Sequence, residues 1–140
     1  MSSRPVSDEV LAKVAAFARA KRTPFYLVGG FLRDALLNRA RLPLNLDLAV
    51  PSRALELARH LAAHLGGSYV PLDEAMGCAR VVVSEGERRV EVDLADFRGR
   101  TLEEDLARRD FTINALALPI ERWGTRRDWT EGLIDPLQGR

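Results

Sequence analysis

The sequence predicts an α/β (α+β) fold in which a mixed β-sheet carries helices on one face. Residues 42–50 and 89–98 alternate apolar and polar side chains with a period of two, which is typical of strands with one buried face. Residues 7–22 and 51–65 repeat apolar side chains at helical spacing and end in turn signals. We therefore expect the helices to cover the apolar face of the sheet.

Length and composition indicate one domain over residues 1–140 and exclude few functions. The chain is 46% hydrophobic, and its formal charge of +1 gives no strong signal for a nucleic-acid partner. Its single cysteine, Cys78, rules out an internal disulfide and suits a reducing compartment. Because no apolar run approaches the roughly 18 residues of a membrane helix, we expect a cytoplasmic protein without a membrane partner.

Local signals mark where the elements begin and end. Gly66 and Gly67 stop the helix before them, and Thr101 with Glu104 has the spacing of a capping box. In chain order we expect helices over 7–22, 31–38, from 51 or 52 to 65, and 102–107, and strands over 25–28, 42–50, 68–72 (an edge strand), 79–84 and 89–97, with a hairpin turn at 85–87. Residues 114–120 form an apolar segment.

The two alternating strands carry polar side chains on their outer faces. In the first strand Asn45 and Asp47 project to the same side, and in the second Glu91 and Asp93 do so. If the strands are neighbours, these four side chains gather on one open face of the sheet. Clustered carboxylates repel one another, so a divalent cation joins them or they are simply solvated. The strands alone leave both interpretations open.

The junction between the first strand and the next helix carries a second signal. Gly29 and Gly30 let backbone N–H groups approach a phosphate closely, and the helix N-terminus adds its positive end. Arg33 can hold phosphate oxygens bidentately, and Asp34 can cap amides or brace an arginine. A tight turn alone would also use glycines, but the acidic strand that follows favours a phosphate site.

Three motifs, in order, resemble one family. They are Gly-Gly-Phe-Leu-Arg-Asp followed by Asn-Leu-Asp within 29–47, Arg-Arg-Asp-Phe-Thr-Ile-Asn-Ala-Leu within 104–117, and Ile-Asp-Pro at 134–136. Together they resemble the class II tRNA nucleotidyltransferases and bacterial poly(A) polymerases, of the polymerase-β-like nucleotidyltransferase superfamily. The resemblance implies a head, or palm, domain that transfers a nucleoside monophosphate from CTP or ATP to the 3′-hydroxyl of tRNA or another RNA.

The resemblance also implies roles for individual residues. Asp47, Asp93 and Asn45 would be catalytic and would hold two Mg²⁺ ions, which suit phosphoryl transfer because it needs positioning and charge neutralisation. Arg98 would brace the acids or a phosphate. The residues expected to bind the nucleotide are Gly29, Gly30, Arg33, Asp34, Arg98, Arg109, Asp110 and Asn114.

The chain departs from the family pattern at two points. The family has Asp-x-Asp where this chain has Asn45-Leu46-Asp47, and asparagine keeps a ligating oxygen but removes one negative charge. Three explanations for Asn45 are open. It is an engineered change, or the chain is a non-catalytic head, or Glu91 or a shifted neighbour supplies the missing negative charge. The chain also stops at Arg140, inside the third motif, so we expect a head truncated before a neck, with neck and body domains downstream or on a second subunit.

Three functions remain open at this point. The first is the head of a CCA-adding enzyme, and the second is the head of a poly(A) polymerase or of an enzyme that adds only CC or only A. The third is a nucleotide-binding or RNA-binding module without catalysis. The base preference, the oligomeric state and the RNA-binding surface do not follow from the sequence.

Overall fold

Six strands form one mixed sheet in the computed structural model, which describes residues 6–29, 45–107, 117–122 and 134. The order across the sheet is β3-β4-β5-β2-β1-β6. The central strands β2 and β5 run parallel, and the other neighbouring pairs are antiparallel. The strands are β1 (Tyr26–Val28), β2 (Asn45–Val50), β3 (Ser68–Asp73), β4 (Cys78–Glu85), β5 (Arg88–Asp96) and β6 (Leu118–Pro119).

The main core lies between one face of this sheet and two helices, α1 (Val6–Lys21) and α2 (Ala54–Leu65). Every second residue of the central strands enters it, because strand side chains alternate between the two faces. The central-strand residues of this core are Leu46, Leu48, Val50, Val90, Val92 and Leu94. The predicted alternation and the predicted apolar helix stripes are therefore confirmed. None of the helices in the described ranges combines the length and the hydropathy needed to span a membrane.

A short helix, α3 (Leu102–Ala107), covers one end of the opposite face. Leu102 and Leu106 pack there against Val28 and Ala49, whose chain neighbours point into the main core. The prediction of helices on one face holds for α1 and α2, and α3 adds a small second layer. The part of this face that carries Asp47 lies further along β2.

The end signals at the hairpin and at α3 are confirmed in detail. Glu85 pairs with Arg88, so β4 and β5 are joined by a two-residue turn at Gly86 and Glu87. The Thr101 hydroxyl accepts a hydrogen bond from the Glu104 backbone N–H at 3.1 Å, which caps α3. The apolar segment noted at 114–120 ends in β6, and the 3₁₀ helix Ile120–Arg122 follows it.

Helix α2 begins at Ala54, after the start predicted at Pro51 or Ser52. Arg53 takes a left-handed conformation with φ 64° and offers no side-chain cap. The cap comes from Asp96, the last residue of β5, whose Oδ1 accepts a hydrogen bond from the Ala54 backbone N–H at 2.8 Å. The capping residue is 42 positions away in the chain, so local sequence signals do not show it. This bond ties α2 to the end of a central strand.

We expect Asp96→Ala to lower the free energy of unfolding by about 1–2 kcal/mol, because the first N–H of α2 loses its acceptor. Asp96→Asn keeps an acceptor oxygen and should retain most of that stability. Urea unfolding followed by circular dichroism measures both variants. Equal stability of Asp96→Ala and the unchanged chain would contradict the capping role.

Candidate active site

Asp47 and Asp93 lie side by side on the two central parallel strands. Strands β2 and β5 pair in a register that puts Asp47 opposite Asp93 and Asn45 opposite Glu91. Neighbouring strands lie about 4.8 Å apart, and register partners project to the same face. Since Leu46 is buried in the main core, these four side chains belong to the opposite face. The expectation that the two strands are neighbours is therefore confirmed.

The carboxylates of this face are partly withdrawn from water. The side chain of Asp93 is 15% exposed and that of Glu91 is 24% exposed, whereas Asn45 at the start of β2 is exposed. Partly desolvated carboxylates at this spacing repel one another, so their ionised forms need a cation nearby. Within the described part of the chain, that cation is an arginine that the sequence analysis did not single out.

Arg80, on β4, holds Asp93 with two hydrogen bonds. Its Nε donates to Oδ1 at 2.8 Å and its Nη2 donates to Oδ2 at 3.0 Å. Its Nη1 also lies 3.5 Å from Glu91 Oε1. The hydrogen bond with Asp93 raises the pKa of Arg80, although burial works in the other direction, and the Asp93, Glu91 and Asp47 charges raise it further. Arg80 therefore stays charged beside the acidic pair.

A signal for Arg80 was present in the sequence. The two-residue turn at Gly86 and Glu87 fixes the hairpin register, and counting outward from that turn pairs Arg80 with Asp93. The alternation of β4 also puts Arg80 on the outer face, because Ala79 and Val81 enter the main core. The strands over 79–84 and 89–97 and the hairpin turn between them were predicted, but the register across the hairpin, which pairs Arg80 with Asp93, was not.

Gly29 lies against Asp47 where β1 ends. Val28 is the register partner of Asp47, and Gly29 follows with φ 76°, a conformation that favours glycine. A Cβ atom on Gly29 would lie 2.7 Å from Asp47 Oδ2, closer than real Cβ contacts allow. The first glycine of the predicted phosphate turn is thus adjacent to the second acid of the predicted metal site.

The segment after β5 is tied to α3 through a buried carboxylate. The Arg98 backbone N–H donates to Asp105 Oδ1 at 2.7 Å, and Asp105 is 1% exposed. Arg98 itself is exposed. Its predicted role toward the acids or a phosphate stays a prediction, because the hydrogen bond to Asp105 is made by its backbone.

The other predicted nucleotide-binding residues lie outside the described residues, so their contacts stay predictions. They are Gly30, Arg33, Asp34, Arg109, Asp110 and Asn114. The predicted helix over 31–38 is outside as well, and of the third motif only Ile134 is described, paired with Ala117.

Cys78, the first residue of β4, lies in the negative electrostatic field of the nearby carboxylates. Burial raises the pKa of its thiol, and the charges of Asp93, Asp73 and Asp47 raise it further, against a smaller lowering by Arg80. A thiol whose pKa is raised is protonated at neutral pH and is a poor nucleophile. Cys78 is therefore suited to packing rather than to covalent chemistry.

The acidic pair is chemically compatible with Mg²⁺. No group of three His, Cys, Asp or Glu side chains suited to a metal occurs among residues 6–29, 45–107, 117–122 and 134. Mg²⁺, however, is usually bound through one or two carboxylates together with substrate phosphates and water, not by a complete protein cage. Asp47 and Asp93 meet that requirement, and the Asn45 amide oxygen lies on the same face.

A mixed sheet with paired carboxylates on adjacent central strands, beside a glycine turn, defines the class of nucleotidyltransferase heads that the motifs resemble. Residues 25–140 match the poly A polymerase head domain family, and the chain belongs to this family. The family resemblance and the fold class predicted from the sequence are both confirmed.

The matched relatives are tRNA-processing enzymes. A CC-adding tRNA nucleotidyltransferase of Synechocystis sp. is 45% identical over 113 residues, which are 81% of this chain and 24% of that protein. An A-adding tRNA nucleotidyltransferase of Deinococcus radiodurans is 44% identical over 114 residues, with 81% and 22% covered. The chain thus spans about a quarter of the length of these curated relatives.

A solved structure supports the same fold. The Thermotoga maritima CCA-adding enzyme complexed with tRNA-CCA matches with a TM-score of 0.74 and 34% sequence identity. The match covers 95% of this chain and 30% of that chain.

We expect Gly29→Ala to lower the free energy of unfolding by about 1–3 kcal/mol, because it combines a strained φ with a clash at Asp47. Gly66→Ala is the matched control, since Gly66 has φ 70° but nothing within 4 Å of an added Cβ. Urea unfolding of both variants separates backbone strain from the contact with Asp47. Equal losses in the two variants would contradict close packing of Gly29 on Asp47.

Proposed function

We propose that this chain is the head domain of a tRNA nucleotidyltransferase, which transfers a nucleoside monophosphate from CTP or ATP to the 3′-hydroxyl of tRNA. The observation that carries the proposal is the register of Asp47 with Asp93 on adjacent strands, facing the same side. The names of the matched CC-adding, A-adding and CCA-adding enzymes support tRNA as the acceptor. A reaction on tRNA with CTP or ATP suits a cytoplasmic location.

The proposed cofactor is Mg²⁺ in a two-metal site held by Asp47, Asp93 and the Asn45 amide oxygen. Bound there, it would supply the positive charge that neutralises the transferring phosphoryl group. The protein groups would position the reactants. The Gly29–Gly30 backbone and Arg33 would hold the triphosphate, with Asp34 bracing that turn.

The second motif would hold the rest of the nucleotide. We assign the sugar-phosphate part to Arg109 and Asp110, and the support of that turn to Asn114. Arg98 would brace the acids or a phosphate. The resemblance of the second motif supports the roles of Arg109, Asp110 and Asn114, whereas Arg98 lies before that motif.

Asn45 is the position where the proposal departs most from the family pattern. Glu91 is its register partner on the same face, so the charge that asparagine lacks is present one strand away. We therefore favour compensation by Glu91 over loss of function. At 4 Å, two unit charges interact by about 4 kcal/mol at an effective dielectric constant near 20, so one carboxylate matters for metal binding.

The choice between CTP and ATP is not assigned to the head. A CC-adding and an A-adding relative are nearly equally similar to this chain, at 45% and 44% identity. A determinant of the base is therefore better sought in the three quarters of those proteins that the match leaves uncovered. We propose that residues 1–140 work with neck and body domains, downstream or on a second subunit.

A second candidate is a nucleotide-binding or RNA-binding module that has lost catalysis. Two observations favour it: Asn45 stands at the first acid position, and Arg80 engages both oxygens of Asp93. This candidate differs from the first in one outcome, because it binds CTP or ATP without transferring a nucleotide.

The deciding experiment measures incorporation of labelled CTP and ATP into tRNA that lacks its CCA end, with Mg²⁺. The chain is tested alone and fused to the part of the Synechocystis relative that follows the matched region. We expect Asp47→Asn to lower incorporation by about a hundredfold or more, since metal-site carboxylates act on the transition state. Asn45→Asp should equal or exceed the unchanged chain.

Glu87→Gln, in the exposed hairpin turn, is the matched control and should leave incorporation unchanged. Nucleotide binding without incorporation in the chain, the fusion and Asn45→Asp would favour the module. Full incorporation by Asp47→Asn would contradict the proposed role of the acidic pair.

A further inference from the structure

We propose that Arg80 is a positioning residue, which orients Asp93 and lowers the affinity of the acidic pair for divalent cations in the nucleotide-free protein. The inference rests on the proposed function, because it treats Asp47 and Asp93 as the cation site. It goes beyond that function because it assigns to Arg80, on a third strand, the role of a positive charge that belongs to the protein and competes with the bound cation.

The geometry supports the positioning role. Arg80 and Asp93 are register partners on β4 and β5, and the guanidinium donates to both oxygens of the carboxylate, at 2.8 and 3.0 Å. A planar bidentate pair of this kind fixes the rotation of the carboxylate, which a single ammonium contact does not. Asp93 thus has one orientation before any cation arrives.

The charge balance supports the effect on affinity. Asp47, Glu91 and Asp93 share one sheet face, and Arg80 lies within 3.5 Å of two of them. A guanidinium at this position attracts the same oxygens that a divalent cation would use and repels the cation itself. Because both partners are more than two thirds buried, solvent screens this competition only partly.

A purely structural role for the Arg80–Asp93 ion pair predicts a different effect on cation affinity. If Arg80 only joined β4 to β5, its removal would lower stability and would leave cation affinity unchanged or weaker. If Arg80 competes for Asp93, its removal must tighten cation binding even while the fold loses stability. The sign of the change in metal affinity therefore separates the two roles.

The test uses Mn²⁺ as the probe, titrated into the chain without nucleotide and followed by the free-ion EPR signal. We expect Arg80→Gln to tighten Mn²⁺ binding by about three- to tenfold, because one competing charge is gone. Arg80→Lys keeps the charge but loses the bidentate contact, so its affinity should lie between the two. If Arg80→Gln folds poorly, Arg80→Lys still tests the proposal, because its Mn²⁺ binding should be tighter than that of the unchanged chain.

Arg89→Gln is the matched control, since Arg89 pairs with Glu91 at 3.1 Å but is 67% exposed and its pairing partner is not Asp93. It should shift Mn²⁺ affinity by less than about twofold. Unchanged or weaker Mn²⁺ binding in both Arg80→Gln and Arg80→Lys would contradict the proposed role of Arg80, without contradicting the metal site itself. Binding that survives Asp47→Asn undiminished would overturn the proposed metal site together with it.

Discussion

Two carboxylates held in register on adjacent parallel strands repel each other, so this structure depends on contacts that hold them in place and offset that repulsion. The register of β2 with β5 sets Asp47 beside Asp93, and the main core fixes the register because a slip of one residue would turn Leu46 and Leu48 outward. The hydrophobic pattern that stabilises the fold is thus also what keeps the charged groups together. Arg80 offsets part of that repulsion within the protein.

Several contacts hold the turns and strand ends around Asp47 and Asp93. Gly29 lies against Asp47, and a Cβ atom at this position would lie 2.7 Å from Asp47 Oδ2, so one of the two would have to shift. Asp96 ties the end of β5 to the start of α2, and Asp105 ties the next segment to α3. The first two contacts join a central strand to a turn or a helix, and the third joins the segment after β5 to α3. The strands that carry the acids are therefore held by more than one neighbouring element.

Features that depend on local chain chemistry could be predicted from the sequence. The alternation in β2 and β5, the helix stops at Gly66 and the cap at Thr101 each rest on residues within a few positions of one another. The cap of α2 could not be found locally, since Asp96 lies 42 positions from Ala54. The pairing of Arg80 with Asp93 follows only when the register of the β4–β5 hairpin is counted outward from its turn. Arg33, Arg109 and the rest of the second motif are known here only from their resemblance to the family.

The most direct test of the central claim is a crystal structure of the chain soaked with Mn²⁺ and a non-hydrolysable CTP analogue, with the metal located by its anomalous scattering. We predict a Mn²⁺ ion bound by carboxylate oxygens of both Asp47 and Asp93 at about 2.2 Å, with phosphate oxygens completing its shell. A metal bound through the phosphates alone, with neither carboxylate as a ligand, would contradict the account.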